Sequence, residues 1–170
     1  VHVYMSAPDV QGTPLLENYT TETFDGFNAG DLVTELSIGT VTGPCRIDNG
    51  GVYGGASTTS PDPSVGGLST KYATTVDGVQ TITIDLTKPA KYLGLYWTAG
   101  SPSNQVRFSS AGQEVASMTT AGLMNKLSQP TVGSKDGNTT YNSSDYFGNP
   151  VNNGATNEPF VYLNVYGIGG

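Results

Sequence analysis

The strictest constraint on this chain is an alternation of period two. In VQTITIDLTKPAKYLGLYWTAG, residues 79–100, Ile82, Ile84 and Leu86 alternate with Thr81, Thr83 and Asp85. That is the pattern of a half-buried strand. Lys88, Pro89 and Ala90 turn the chain, after which Leu93, Leu95 and Trp97 share one face and Tyr92, Gly94 and Tyr96 the other. A strand apolar on both faces is expected at the centre of a sheet. Residues 104–109 predict a third strand, with Val106 and Phe108 inward and Arg107 outward. Ala111-Gly112 makes a hairpin turn into a fourth strand over 114–118. A helical period appears once: Thr119 or Thr120 caps residues 121–127, where Leu123, Met124 and Leu127 fall on one face. Two turns of helix need tertiary packing to persist.

The rest of the chain is punctuated too often for long helices, with 23 Gly and 10 Pro. Further strands are expected over residues 1–5, 21–24, 36–41 and 160–166. Two long loops separate them, 48–67 with Val52 and Tyr53 as a brief anchor, and 128–159. Charged residues make up only 12%, against about 25% in ordinary globular domains. Polarity therefore comes from Thr, Ser, Asn and Gly, a composition common in secreted surface proteins. These signals predict an all-β fold, a two-sheet β-sandwich or jelly roll with one short helix and long loops. Residues 1–14 form an N-terminal strand arm and linker, in which SAPDVQGTP carries Pro8, Gly12 and Pro14, and residues 15–170 form the sandwich.

Charge narrows the partners. The net charge is −7 with a pI near 4.3, and the seven Lys and Arg are scattered. Binding nucleic acid or an anionic membrane requires a cluster of cations, so neither is expected. No apolar run reaches the roughly 20 residues that span a bilayer. The lone cysteine, Cys45, permits no intrachain disulfide. It is either a buried inert thiol or, in its turn-like GPCRIDNGG setting, a bond between two copies.

Catalytic readings find little support. His2 is the single histidine and lies in the terminal strand, which disfavours a His-based triad and excludes a multi-His metal centre in one chain. There is no nucleophile elbow, phosphate-cradling loop or dinucleotide fingerprint. No spacing pairs any two of the carboxylates for glycoside hydrolysis, so no enzyme is expected and no catalytic residue is named. A structural Ca²⁺ would find oxygen ligands in Glu22 and Asp25, in Asp48 and Asn49, or in residues 136–138, although solvated turn residues read the same way. A polysaccharide would find aromatics in Tyr141, Tyr146 and Phe147, with Asn142, Asn149 and Asn152 nearby. The same rings would equally pin the loop to the sandwich. Trp97, between Leu93 and Leu95, reads as core. Sequons at Asn18, Asn138 and Asn142 would carry glycans where the host supplies the machinery.

The segment KPAKYLGLYWTAGSPSNQVRFSSAGQEVASMTTAGL resembles exosortase-sorted bacterial surface proteins, in which such an aromatic strand runs into a short strand, a hairpin and a helix. TETFDGF and GGVYGGAST before it, and DYFGNP and NEPFVYLNVYG after it, sit in the order those proteins show, so the likeness covers most of residues 21–166. It implies an exported β-sandwich at a bacterial cell surface or in the extracellular matrix. Proteins of that kind continue past the VYLNVYG strand with another core strand and a sorting tail, whereas this chain stops at GIGG. It also starts on VHVYM without an initiator Met, as a processed end would. These departures suggest an open sheet edge and a spare strand. Val1, Val3, Tyr4 and Met5 would then form a self-assembly strand that fills a groove lined by Phe160, Tyr162, Leu163 and Val165 in the next copy. Alternatively, VHVYM pairs within its own domain. Pairing five residues and burying three side chains gives about 10 kcal/mol gross. Ordering those residues costs about 1–2 kcal/mol each. A durable joint between copies therefore needs a preformed groove and contacts between whole domains. A filament or surface layer is the first expectation, and a monomeric adhesin or carbohydrate-binding module the second.

Overall fold

The computed structural model describes residues 1–8, 19–49, 51–53, 71–76, 81–129, 131–133 (backbone only), 140–150 and 153–169. Most of the linker, the greater part of the 48–67 loop, Asn18, Asp136, Asn138 and Asn152 lie outside the described residues. The fold is all-β, built from antiparallel sheets with one short helix and long loops. In chain order the strands are β1 (His2–Met5), β2 (Leu32–Leu36), β3 (Gly39–Asn49), β4 (Lys71–Thr75), β5 (Thr83–Leu86) and β6 (Tyr92–Thr98). After them come β7 (Gln105–Ser110), β8 (Gln113–Thr119), helix α1 (Thr120–Leu127), β9 (Thr131–Gly133), β10 (Thr140–Asn142) and β11 (Phe160–Tyr166).

One sheet has the order β1-β11-β6 and joins residues from both ends of the chain. A second runs β2-β3-β4, with β5 also paired to β3. The hairpins β7-β8 and β9-β10 stand as separate ribbons. The buried side chains follow this division. Val33, Leu36, Val41, Cys45 and Ile47 form one cluster with Phe24, Phe27, Ile38 and Ile82 against it. Trp97, Leu123, Leu127, Tyr146, Val161 and Leu163 form another, with Val3 and Met5 packed on it. Phe108, Val165 and Ile168 extend the second core towards β7-β8.

Local chemistry accounts for the elements. Thr119 is the N-cap of α1, extended at φ −105° and ψ 156°, and its hydroxyl accepts the Gly122 N–H at 3.0 Å. Leu123 and Leu127 are fully buried and anchor the helix to the sheet. The β7-β8 turn places Ala111 (φ 49°) and Gly112 (φ 76°) in the left-handed region, the backbone twist a two-residue hairpin requires. β3 bends at Gly43 (φ 92°), directly before Pro44, and changes partner there. Gly39–Thr42 pair with β5, and Cys45–Asn49 pair with β4.

Several expectations change. Residues 21–24 form no strand; Phe24 takes φ 63° and its N–H goes to the Glu22 carboxylate at 2.8 Å. The strand expected over 36–41 is interrupted by the β2-β3 hairpin turn at Ser37 and Ile38. GPCRIDN is strand, not turn. β6 is an outer strand of its three-stranded sheet and β11 the central one, because the tyrosine face of β6 owes its apolar character to rings that meet other rings. Ile84 is exposed despite its alternating context. The 128–159 loop contains β9, β10 and a 3-10 turn at Ser143–Tyr146.

Candidate functional site: the arm-binding edge of the β11 sheet

The arm lies along the outer edge of β11 in the same chain. His2 opposes Tyr166, Val3 opposes Val165, Tyr4 opposes Asn164 and Met5 opposes Leu163. The ladder continues one residue further, where the Ser6 N–H donates to the Tyr162 carbonyl at 3.0 Å. Because side chains alternate along a strand, Val3 and Met5 enter the core with Leu163 and Val165. Of the expected groove residues, those two oppose the arm directly. Tyr162 contributes its carbonyl and turns its ring to the other face. Phe160 lies beyond the arm, paired with Thr98 and buried with Ala99. Val1 is not a plug: it is 47% exposed and precedes β1. Tyr4 faces away from the core and joins a row of rings.

That row covers the second face of the sheet. His2 stacks on Tyr4 at 6.3 Å, Tyr4 meets Tyr166 edge-on at 5.9 Å, and Tyr166 lies 5.0 Å from Tyr92. Tyr19 closes on Tyr92 at 6.3 Å. Gly94 makes room within it, because a Cβ there would collide with the Tyr92 and Tyr162 hydroxyls. Those hydroxyls are 3.3 Å apart, and Tyr92 also donates to Asn164 Oδ1 at 3.1 Å. Burial pushes both phenols up, and for Tyr92 the bond to Tyr162 adds to the rise. Both therefore stay neutral donors over the physiological range.

Polar contacts fasten the end of the arm. Asn164 Nδ2 donates to Ser6 Oγ at 2.9 Å. From the core side, the Tyr146 hydroxyl donates to the Ser6 carbonyl at 3.1 Å. Ser6 is 1% exposed and Asn164 3% exposed. None of Ser6, Asn164 and Tyr146 is legible from patterning, because buried polar residues carry no periodic signal. The nearest clue is that Asn164 interrupts an otherwise apolar final strand.

The other candidate positions have structural duties. Tyr146 is fully buried, so it offers no surface platform. Tyr141 packs edge-on against it at 6.4 Å. Asn149 is buried and donates to the Val52 carbonyl at 3.0 Å. Phe147 is half-buried and lines an open, shallow groove with Met124, Asn125, Ser144, Thr156 and Asn157. Asn142 is exposed. Trp97 is core, its indole donating to the Ala99 carbonyl at 2.6 Å. Cys45 is buried, and burial pushes its thiol up, so it is not placed to bond another copy.

At the cation candidates, the Glu22 carboxylate accepts the N–H groups of Phe24 and Ser37, both at 2.8 Å, and the Ser37 hydroxyl. Burial alone would raise this carboxyl, but the amide bonds outweigh it and the pKa is lowered. The Lys71 ammonium occupies the neighbouring carbonyls, those of Asp25 at 2.9 Å and Phe27 at 2.6 Å. Asp48 pairs with Arg46 at 2.8 Å. Among the described residues, no three His, Cys, Asp or Glu converge. No helix among them is long and apolar enough to cross a membrane.

The site is thus an edge-strand joint between an apolar core and a tyrosine face. Comparisons of the chain with protein-family models, curated proteins and solved structures return no match.

Proposed function

We propose that the protein is an extracellular structural subunit of a bacterial cell surface, which assembles into a filament or layer by lending its N-terminal strand to a neighbouring copy. One observation supports this reading: the arm, paired here within its own chain, is an edge strand with a neighbour on one side. Among the described residues it meets the sheet along the β11 edge, through a ladder from His2 to Ser6, and its Val3 and Met5 pack on a core built by β6, β11, α1, Tyr146 and the β7-β8 hairpin. Arm and groove belong to the same chain, so every copy offers both. Moving the arm from its own groove to a neighbour's leaves these contacts unchanged. Protein concentration and contacts between bodies then decide between the closed protomer and the chain of protomers. A head-to-tail joint of this kind propagates unless its rotation closes a ring. The resemblance to exosortase-sorted surface proteins supports the extracellular setting.

Electron microscopy of the purified protein over a rising concentration series tests the reading. Fibres or sheets are expected from the intact chain. Their loss is expected when Val3 and Met5 are replaced by Asp, or when residues 1–8 are removed. Dispersed single particles at the highest concentration would overturn it.

A second reading has its own support in the Phe147 groove. An aromatic ring, a thioether, amides and hydroxyls line it, an uncharged set that suits a neutral polysaccharide. Here the protein acts as a monomeric adhesin or carbohydrate-binding module. Retention on a neutral glycan column, lost in Phe147→Ala and kept when the arm is removed, would establish it.

A further inference from the structure

We infer that Ser6 and Asn164 form a register pin, which makes the β11 edge accept one kind of extended segment: apolar residues at two alternate positions, followed at once by a small hydroxyl residue. The occupant it fits is the arm of a second copy of this chain, with Val3, Met5 and Ser6 in those places. This inference rests on reading the β11 edge as a groove for arms.

Hydrophobic patterning alone leaves the register ambiguous. A slip of one residue would turn Val3 and Met5 away from the core and is excluded by their packing against it. A slip of two residues keeps the same faces and costs little in apolar contact. The polar contacts tell these apart. In one direction Pro8 arrives opposite Tyr162 with no N–H for that carbonyl, and Ser6 moves directly opposite Asn164. In the other direction Tyr4 arrives opposite Tyr162, and its ring does not fit the space that holds a serine. The second slip takes the Ser6 hydroxyl from the Asn164 Nδ2 group, whose residue is 3% exposed, and either slip takes the Ser6 carbonyl from the Tyr146 hydroxyl. A buried group left without its partner is penalised far more than a satisfied pair is rewarded. Buried polar pairs of this sort define register even where they add little stability.

Disulfide trapping in the full-length chain tests the pin. His2→Cys with Tyr166→Cys reports the observed register, and Tyr4→Cys with Tyr162→Cys reports the slipped one. Cys45 is fully buried and stays out of the exchange. With Ser6 in place, mild oxidation is expected to link the first pair and leave the second largely unlinked. Ser6→Ala is expected to shift the ratio towards the slipped pair by about fivefold or more. Ser6→Ala combined with Asn164→Leu fills both positions with apolar groups, and it should shift the ratio similarly, with an unchanged far-ultraviolet dichroism as the check that the fold is kept. An unchanged ratio in both variants would overturn the pin. Whether the linked product runs as a monomer or as a ladder on a non-reducing gel reports separately on strand donation. A monomer product whose ratio still depends on Ser6 would keep the pin and discard the filament.

Discussion

The β2–β5 sheet and the β1-β11-β6 sheet solve the same packing problem with opposite means. In the first, β2 and β3 form a tight hairpin and β3 serves every partner in turn. Its core is aliphatic, with Cys45 and Ile47 fully buried and Phe24 and Phe27 lying against them. In the second, the strands are drawn from residues 2–5, 92–98 and 160–166. Loop closure weighs against such distant pairing, and aliphatic burial alone would not settle its register. There the core is ringed by polar contacts: Ser6 of the arm with Asn164 and Tyr146, and Tyr92 with Tyr162 over Gly94. Local pairing tolerates a plain core, whereas distant pairing here is specified by buried hydrogen bonds.

The largest test of that contrast is a matched pair of truncations. Ile47→Ala and Leu163→Ala each remove a buried side chain and should each destabilise by about 2–5 kcal/mol in denaturant titration. They should differ in hydrogen exchange. Leu163→Ala strips protection from the arm amides, whereas Ile47→Ala leaves that protection intact until global unfolding. Equal loss in both would mean that the two sheets unfold as one.

A smaller and more pointed contrast uses two glycines. A Cβ at Gly39 would collide with the Asp85 backbone carbonyl, while one at Gly94 would meet the Tyr92 and Tyr162 phenol tips. Backbone cannot step aside and phenol tips can. Gly39→Ala should therefore cost about 3 kcal/mol and Gly94→Ala about 1 kcal/mol, the latter with a changed near-ultraviolet tyrosine dichroism.

Titration separates the regions further. The Cys45 thiol is raised from its ordinary 9.0 by burial. A raised group is held in its protonated form, so its contribution is whole below that value and is lost as pH rises through the folded one. Alkaline weakening should thus begin above pH 9 in the β2–β5 sheet and be delayed in Cys45→Ala. The tyrosine face, whose phenols start from 10.0, follows at higher pH. On the acid side the Glu22 carboxyl is lowered from 4.5, so its bonds persist above that value and fail as pH falls through the folded one. Glu22→Gln should flatten this acid limb in melting curves. The smallest effect belongs to the β7-β8 surface. Arg107 and Glu114 are exposed and 3.9 Å apart, so Arg107→Ala should change stability by less than about 0.5 kcal/mol.

Much of this fold is legible in residue order, and the reasons are specific. The β7-β8 hairpin, α1 and β11 announce themselves by alternation, by Ala111-Gly112 and by the Thr119 cap. β4 does not, because KYATT is short and mostly polar and is a strand only through its pairing with β3. The β2-β3 turn hides in an apolar run, and Gly43-Pro44 reads as a break although the strand merely bends there. At the joint, Val3, Met5, Leu163 and Val165 follow from period two. Ser6 and Tyr146 do not, since a serine before Pro8 and a tyrosine in a turn-rich loop look like surface until the fold buries them. The ring row was half visible: Tyr92 and Tyr96, and likewise Tyr162 and Tyr166, share faces, but which faces meet is decided by pairing across the whole chain.

Lys71 bears on how the outer loop behaves in different surroundings. Its ammonium rests on the Asp25 and Phe27 carbonyls, so this bend carries its positive charge on a covalent tether. Chelating agents that slacken calcium-braced loops should leave the 24–27 turn unmoved.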